Sequence, residues 1–161
     1  MVPVPSSSST TDSSMVARVL AVFSLTTRVL SGSASLAVHW MLLEMGVPFE
    51  AKLVSIDAGE QKLPEYLRLN PTGRVPTLVV DGVPHGESAA LLMLLAERHP
   101  EKKFAPLPGS PNRAEWLETM VYLANTVLPA MRDWFYADKD GDPQGAEAVK
   151  ALARRRIEGA W

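Results

Sequence analysis

The sequence predicts a small α/β domain followed by a separate helical segment. Short β-branched or apolar runs alternate with apolar segments of helical length between residues 25 and 105. A proline-rich stretch, residues 106–111, interrupts this pattern and is expected to be a linker. Residues 112–161 return to helical periodicity and form the start of a second, all-α domain. Residues 1–24 begin with a Ser-rich run and are expected to be disordered or additional to the fold.

The domain opens with a strand whose position has two alternatives. One is residues 25–30, and the other is residues 17–23, which are apolar apart from Arg18. The second strand is predicted at residues 49–56, where polar and apolar side chains alternate. A helix between these two strands makes a parallel crossover unit, which is right-handed in nearly all proteins.

The first helix is predicted over residues 33–45. Either Ser33 or Ser35 is expected to cap its start, and Gly46 with the following proline is expected to end it. Its predicted inward-facing stripe consists of Leu36, Trp40 and Leu43.

A connecting helix, a hairpin and a last helix complete the domain. The connecting helix is predicted at residues 64–69, and the hairpin strands at residues 77–80 and 83–85. Asp81-Gly82 is a typical two-residue hairpin turn, since both of its residues tolerate positive φ. The last helix follows over residues 89–98. The order β-α-β, connecting helix, β-β-α is a thioredoxin-like arrangement.

Three features around the hairpin have a chemical interpretation. Val75-Pro76 is a candidate cis peptide, which would leave the backbone N–H and C=O of Val75 free for an extended peptide. Ser88 opens a helix, where free N–H groups favour a carboxylate, and Glu87 beside it suits an ammonium group. Together they suit the amino and carboxylate groups of one amino-acid end. The alternatives are a simple helix cap, worth about 1 kcal/mol, and a solvated charge.

Composition excludes several classes of function. The chain has no Cys, so it has no disulfide, no thiolate zinc site and no cysteine nucleophile. A net charge of −2 gives no indication of a nucleic-acid surface. The acidic residues 138–142 lack the Gly and Glu of a calcium loop, so we predict no metal site.

The motifs of residues 70–90 resemble the glutathione-binding half of a glutathione S-transferase. They read N-P-x-G-x-V-P-x-L at residues 70–78, D-G at 81–82 and E-S-A-A at 87–90. The similarity extends upstream through G-S-A-S-L-A-V-H-W at residues 32–40 and covers roughly residues 31–136. The resemblance implies glutathione as co-substrate. Its implied contacts are Gln61, Lys62, Val75, Pro76, Glu87 and Ser88.

These implied contacts divide along the tripeptide. Val75 would hold the cysteinyl backbone, while Glu87 and Ser88 would hold the γ-glutamyl end. Gln61 and Lys62 would lie near the glycine carboxylate, which Lys62 suits by its charge.

The implied reaction is attack of the glutathione thiolate on a small hydrophobic electrophile. A serine hydroxyl at the start of the first helix would donate to the sulfur. Ser33 is the first candidate, Ser31 the second, and Ser35 the third, since it would lie inside the first turn. The alternatives are a glutathione-binding or protein-interaction module without catalysis, and a glutathione-dependent isomerase or dehalogenase.

The resemblance also carries expectations about the whole protein. It implies a cytoplasmic homodimer that binds neither nucleic acid nor membrane. Members of the family continue with several more helices, so the chain is expected to be truncated within its helical domain. The register of the family favours residues 25–30 as the first strand, although the Tyr and Pro common in relatives are replaced by Arg28 and Ser31.

Overall fold

The computed structural model describes residues 19–23, 34–139 and 143–160. Four strands and six α-helices are found in these ranges. The strands are β1 (Val19–Phe23), β2 (Phe49–Leu53), β3 (Thr77–Val80) and β4 (Val83–His85). The helices are α1 (Ser35–Met45), α2 (Pro64–Leu67), α3 (Ser88–Arg98), α4 (Arg113–Tyr122), α5 (Leu128–Tyr136) and α6 (Ala146–Gly159). This order confirms the predicted thioredoxin-like class followed by a helical part.

The strands form one mixed sheet in the order β2-β1-β3-β4. β1 runs parallel to β2, with Val19 opposite Phe49, and antiparallel to β3. β3 and β4 form the predicted hairpin, in which Val80 pairs with Val83. Both turn residues have positive φ, 51° at Asp81 and 82° at Gly82, as the Asp-Gly signal requires.

The position of the first strand corrects the sequence-based preference. The strand is Val19–Phe23, within the alternative at residues 17–23, so the prediction at residues 25–30 is wrong. The sheet therefore begins before residue 25, inside the segment that was expected to lie outside the fold. The run at residues 17–23 is apolar apart from Arg18, whereas half of the run at residues 25–30 is polar; the expected register of the family, not local hydrophobicity, had favoured the second run. The remaining predicted N-terminal disorder, at residues 1–18 and 24, lies outside the described residues.

The core lies between α1, α3 and β3. Val38, Leu42 and Met45 of α1 pack with residues of the other two elements: Leu78, Val80, Leu91 and Leu95. The predicted inward stripe of α1 is wrong, since Leu36, Trp40 and Leu43 are 58–63% exposed. The buried set is displaced by two residues, which is about 200° around a helix. Because α1 is apolar on both faces, periodicity alone could not choose the buried one.

The helical part is joined to the domain through Arg113. Residues 103–112, which include the predicted linker at residues 106–111, contain neither helix nor strand. The Arg113 guanidinium lies 2.6 Å from the Glu97 carboxylate on α3 and donates to the Pro106 carbonyl at 3.0 Å. It also lies over the Trp116 ring, 4.6 Å from its centroid. One largely buried cation thus connects α3, the linker and α4.

The helices after the linker are interrupted before Pro129. Residues Leu123–Val127 between α4 and α5 are π-helical. Proline has no N–H to continue the helical ladder, and π-turns commonly absorb such an interruption. None of the helices in the described ranges is long and apolar enough to cross a membrane. Of the acidic run at 138–142, residues 140–142 lie outside the described residues.

Candidate functional site

The loop between α2 and β3 carries the predicted cis peptide. The Val75-Pro76 bond is cis, as the sequence indicated. Val75 is partly exposed, and Pro76 is buried behind it. The Val75 backbone makes no hydrogen bond with another residue of the described ranges. Its N–H and C=O are therefore available to an extended peptide, as expected for strand-like docking.

The start of α3 supplies the second part of the site. Glu87 precedes the helix, is exposed, and forms no ion pair with any residue that the structure describes. Its φ and ψ are 64° and 106°, a region that a residue with a side chain rarely occupies and that costs about 1–3 kcal/mol. No side chain caps the helix, whose first internal bond joins the Leu91 N–H to the Glu87 carbonyl. The amides of Ser88 and Ala89 therefore remain free of helical partners and suit a carboxylate.

The hydroxyl of Ser88 contacts the start of the first helix. It donates to the Ala34 carbonyl at 3.0 Å, which joins the start of α3 to the start of α1. The hydroxyl hydrogen is thus used within the protein, and the backbone N–H of Ser88 is the donor left for a ligand. Because Ala34 immediately precedes α1, the two helix N-termini lie side by side.

The loop and the start of α3 are neighbours as well. A Cβ on Gly86, one residue before Glu87, would lie 3.4 Å from the Asn70 side-chain nitrogen and 4.0 Å from the Pro76 carbonyl. The structure therefore brings together the loop, Glu87 and the helix starts, which are far apart in sequence.

Gln61 and Lys62 lie against the same loop. The Lys62 ammonium lies 3.5 Å from the Thr72 carbonyl and forms no ion pair in the described part of the chain. The Oε1 atom of Gln61 is buried and has no hydrogen-bond partner among the described residues. Lys62 thus supplies a cation, and Gln61 an amide, beside the loop. A ligand carboxylate, separate from the one that suits the start of α3, would fit there by charge.

Gly73 lets the loop pack closely against Gln61 and Lys62, and Gly73→Ala tests this packing. Gly73 has a φ of 59°, and an added Cβ would lie 2.8 Å from Lys62 Nζ and 3.0 Å from the Gln61 carbonyl oxygen. Left-handed backbone costs a residue with a Cβ about 1–2 kcal/mol. The overlap should lower the free energy of unfolding by about 1 kcal/mol more, measured by urea denaturation.

Gly82→Ala is the matched control for that substitution. Gly82 has a φ of 82°, and nothing lies within 4 Å of its added Cβ. The loss of stability in Gly82→Ala therefore measures only the cost of left-handed backbone. Equal losses of stability in the two variants would show that the loop does not press on Gln61 and Lys62.

The serine candidates fall at the edge of the described chain. Ser35 is the first residue of α1 and is only 1% exposed, and Ser31 and Ser33 lie outside the described residues. The predicted serine cap of α1 is not formed by Ser35, because the N-cap residue is Ala34 and no side-chain cap bond is described.

Three polar residues of the site were missed by the sequence reasoning. Tyr66, Asn70 and Thr77 lie beneath the loop and are 5%, 9% and 1% exposed. Burial raises the pKa of Tyr66 above its usual value, although the polar side chains of Thr77 and Asn70 beside it oppose this shift. The Tyr66 hydroxyl therefore stays protonated and remains a donor at neutral pH. The only signal for Asn70 was its place at the start of N-P-x-G, which indicated a turn.

Known proteins with similar sequences come mainly from one family. The family model described as "Glutathione S-transferase, N-terminal domain" matches residues 32–98. A glutathione S-transferase of Xanthomonas campestris pv. campestris is 46% identical over 104 residues, which are 65% of this chain and 50% of that protein. A maleylacetoacetate isomerase of Dictyostelium discoideum is 36% identical over 99 residues, 60% of this chain and 45% of that protein.

A solved structure extends the similarity to the fold. The crystal structure of a glutathione transferase homologue from Sulfitobacter, with bound glutathione, superimposes with a TM-score of 0.73 at 27% identity. The match covers 88% of this chain and 66% of that one. This chain spans about half the length of the curated relatives it matches. In sequence over residues 32–98 and in fold, the chain is similar to members of the glutathione S-transferase family.

Proposed function

We propose that this chain binds reduced glutathione and conjugates it, through its thiolate sulfur, to small hydrophobic electrophiles. The observation that supports this most is the contact of Ser88 with Ala34, which sets two helix N-termini side by side. Next to them lie an unpaired carboxylate, Glu87, and the free backbone of Val75. The Sulfitobacter relative carries glutathione in its crystal structure, which supports the same ligand here.

Each group of glutathione has a partner in this proposal. The Glu87 carboxylate binds the γ-glutamyl ammonium, and the N–H groups of Ser88 and Ala89 bind its carboxylate. The N–H and C=O of Val75 pair with the cysteinyl backbone, and Lys62 attracts the glycine carboxylate. The sulfur then lies toward the start of α1.

The start of α1 is suited to hold a thiolate. A free thiol has a pKa of about 8.5. A helix N-terminus stabilises an adjacent anion by up to about 2 kcal/mol, which lowers that pKa by roughly 1.5 units. A hydrogen bond to the sulfur from the hydroxyl of Ser33, or from that of Ser31, lowers the pKa further. Ser35 is the weaker candidate because it is buried. The thiolate sulfur then bonds to the electrophilic carbon, and the leaving group departs with the electron pair.

Turnover with a chlorodinitrobenzene tests the reaction. We expect one chloride released and one thioether formed for each glutathione consumed, at a rate above that of the buffer. S-methylglutathione, which has no thiol to ionise, should bind and block this turnover. Binding of glutathione without any turnover would favour a non-catalytic glutathione-binding or protein-interaction module.

A glutathione-dependent isomerase is the second candidate, because one relative is named as a maleylacetoacetate isomerase at 36% identity. Such an enzyme would use the same glutathione site with a different second pocket. It would return glutathione unchanged, whereas a transferase consumes it. Mass spectrometry of the products separates the two reactions. A cytoplasmic homodimer remains part of the proposal.

A further inference from the structure

We propose that Tyr66, Asn70 and Thr77 are positioning residues that aim the Val75 N–H at the ligand. The inference rests on the proposed glutathione site, and it assigns a role to a buried ring of hydrogen bonds that lies behind that site. The ring joins the three side chains to the Arg74 carbonyl. It fixes one of the two peptide groups that the ligand backbone would contact, namely the one that carries the Val75 N–H.

The donors and acceptors of the ring can be assigned without ambiguity. The Arg74 carbonyl only accepts, and it receives the Tyr66 hydroxyl at 2.7 Å and the Asn70 amide nitrogen at 2.9 Å. Because the single hydroxyl hydrogen of Tyr66 is bound to the Arg74 carbonyl, the Thr77 hydroxyl must donate to the Tyr66 oxygen, at 2.8 Å. The second Asn70 hydrogen goes to the Thr77 oxygen at 3.1 Å and closes the ring.

The other side of Asn70 is satisfied as well. Its Oδ1 atom accepts from the Thr72 backbone N–H at 3.1 Å and from the Thr72 hydroxyl at 2.7 Å. The backbone N–H fixes which end of the Asn70 amide is oxygen. Every hydrogen of the three ring side chains therefore has a partner, and a fully satisfied buried network holds one geometry.

The ring sets the direction of the Val75 N–H through the peptide plane. The Arg74 carbonyl and the Val75 N–H belong to one peptide group, and this peptide is trans, since Val75-Pro76 is the cis bond among the described residues. In a planar trans peptide these two groups point in opposite directions. Two donors hold the carbonyl toward the interior, so the N–H points outward. They also polarise the peptide, which makes the N–H a better donor.

Three conservative substitutions remove one member of the ring each. Thr77→Val and Tyr66→Phe keep shape and lose a hydroxyl, and Asn70→Asp keeps shape and loses both donors. Thr77→Ser retains the hydroxyl and is expected to behave as the unsubstituted protein. Tyr122→Phe is the matched control, since it removes an exposed hydroxyl bond to the Ala160 carbonyl at 3.0 Å.

The readout is glutathione affinity in variants that remain folded. We expect Thr77→Val and Tyr66→Phe to weaken binding about tenfold by calorimetry, while Thr77→Ser and Tyr122→Phe bind as before. In the glutathione complexes of Thr77→Val and Tyr66→Phe, the hydrogen-exchange rate of the Val75 amide should exceed that in the unsubstituted protein. The rate of the Leu95 amide, in the core, should not change. A purely structural ring would lower stability without changing the affinity of the folded protein.

Two results would overturn the inference, and they differ in meaning. Normal affinity in folded Thr77→Val and Tyr66→Phe proteins, with the original protein binding glutathione, would overturn the ring's role alone. Absence of binding in the original protein would overturn the proposed function, and this role with it. If Thr77→Val does not fold, Tyr66→Phe, which loses a single oxygen, decides.

Discussion

Glu87→Gln is expected to weaken glutathione binding by about tenfold to a hundredfold. The substitution keeps the length of the side chain but removes the charge that faces the ligand ammonium. A hydrogen bond to a charged group contributes about 1.5–3 kcal/mol, which sets this range. The backbone of Glu87 has an unusual φ of 64°. This conformation costs glutamine as much as glutamate, so the substitution leaves the backbone cost unchanged. Calorimetric titration at low salt measures the effect directly.

Glu118→Gln is the control for charge alone. Glu118 is exposed on α4, away from the proposed site. Its substitution by glutamine changes the net charge by the same amount as Glu87→Gln. We expect it to leave the affinity unchanged. Added salt should narrow the difference between Glu87→Gln and the original protein, since exposed charges are screened within about 10 Å at 0.1 M salt. Equal weakening by both substitutions would argue against a specific ammonium contact at Glu87.

Ser33→Ala is expected to lower turnover by roughly a hundredfold while leaving glutathione binding nearly intact. Loss of one donor to a developing or stabilised anion costs about that factor in other enzymes. A thiolate without this donor is less stable, so the pKa of the bound thiol rises. Below that pKa the thiolate fraction falls, and the pH–rate profile should move to higher pH. Stopped-flow absorbance of the bound thiolate against pH measures the shift.

The other two serines show whether the donor has been assigned correctly. Ser31→Ala is expected to shift the profile only if it, instead of Ser33, supplies the hydroxyl. Ser35→Ala changes a buried residue at the start of α1 and should affect stability more than the profile. A profile unchanged in all three variants would remove the serine hydroxyl from the mechanism and leave the helix N-terminus alone.

Short-range signals predicted the second half of the domain well. The Asp-Gly turn, the strand on either side and the helix after Glu87 depend on local backbone preferences, and all are found where expected. The first half was harder. The strand at Val19–Phe23 competes with the candidate at residues 25–30, and pairing with β2 and β3 selects it. The buried face of α1 likewise depends on what it packs against, because the helix is apolar on both faces.

The site was predictable where chemistry is local and not where it depends on packing. The cis Val75-Pro76 bond and the free start of α3 follow from residue types and spacing. The ring beneath the loop did not, since Tyr66 and Thr77 look like ordinary helix and strand residues until the fold brings their oxygens within 2.8 Å. The hydrogen bond from the Ser88 hydroxyl to the Ala34 carbonyl was not predictable either, because the two residues are 54 positions apart.

Calorimetric titration of reduced glutathione into this chain tests the central claim most directly. The chain is first shown to be folded by circular dichroism, so that a missing signal has one meaning. We expect saturable binding with one site per chain. A folded chain that shows no heat of binding and no protection of the Val75 amide at millimolar glutathione would contradict the proposed site.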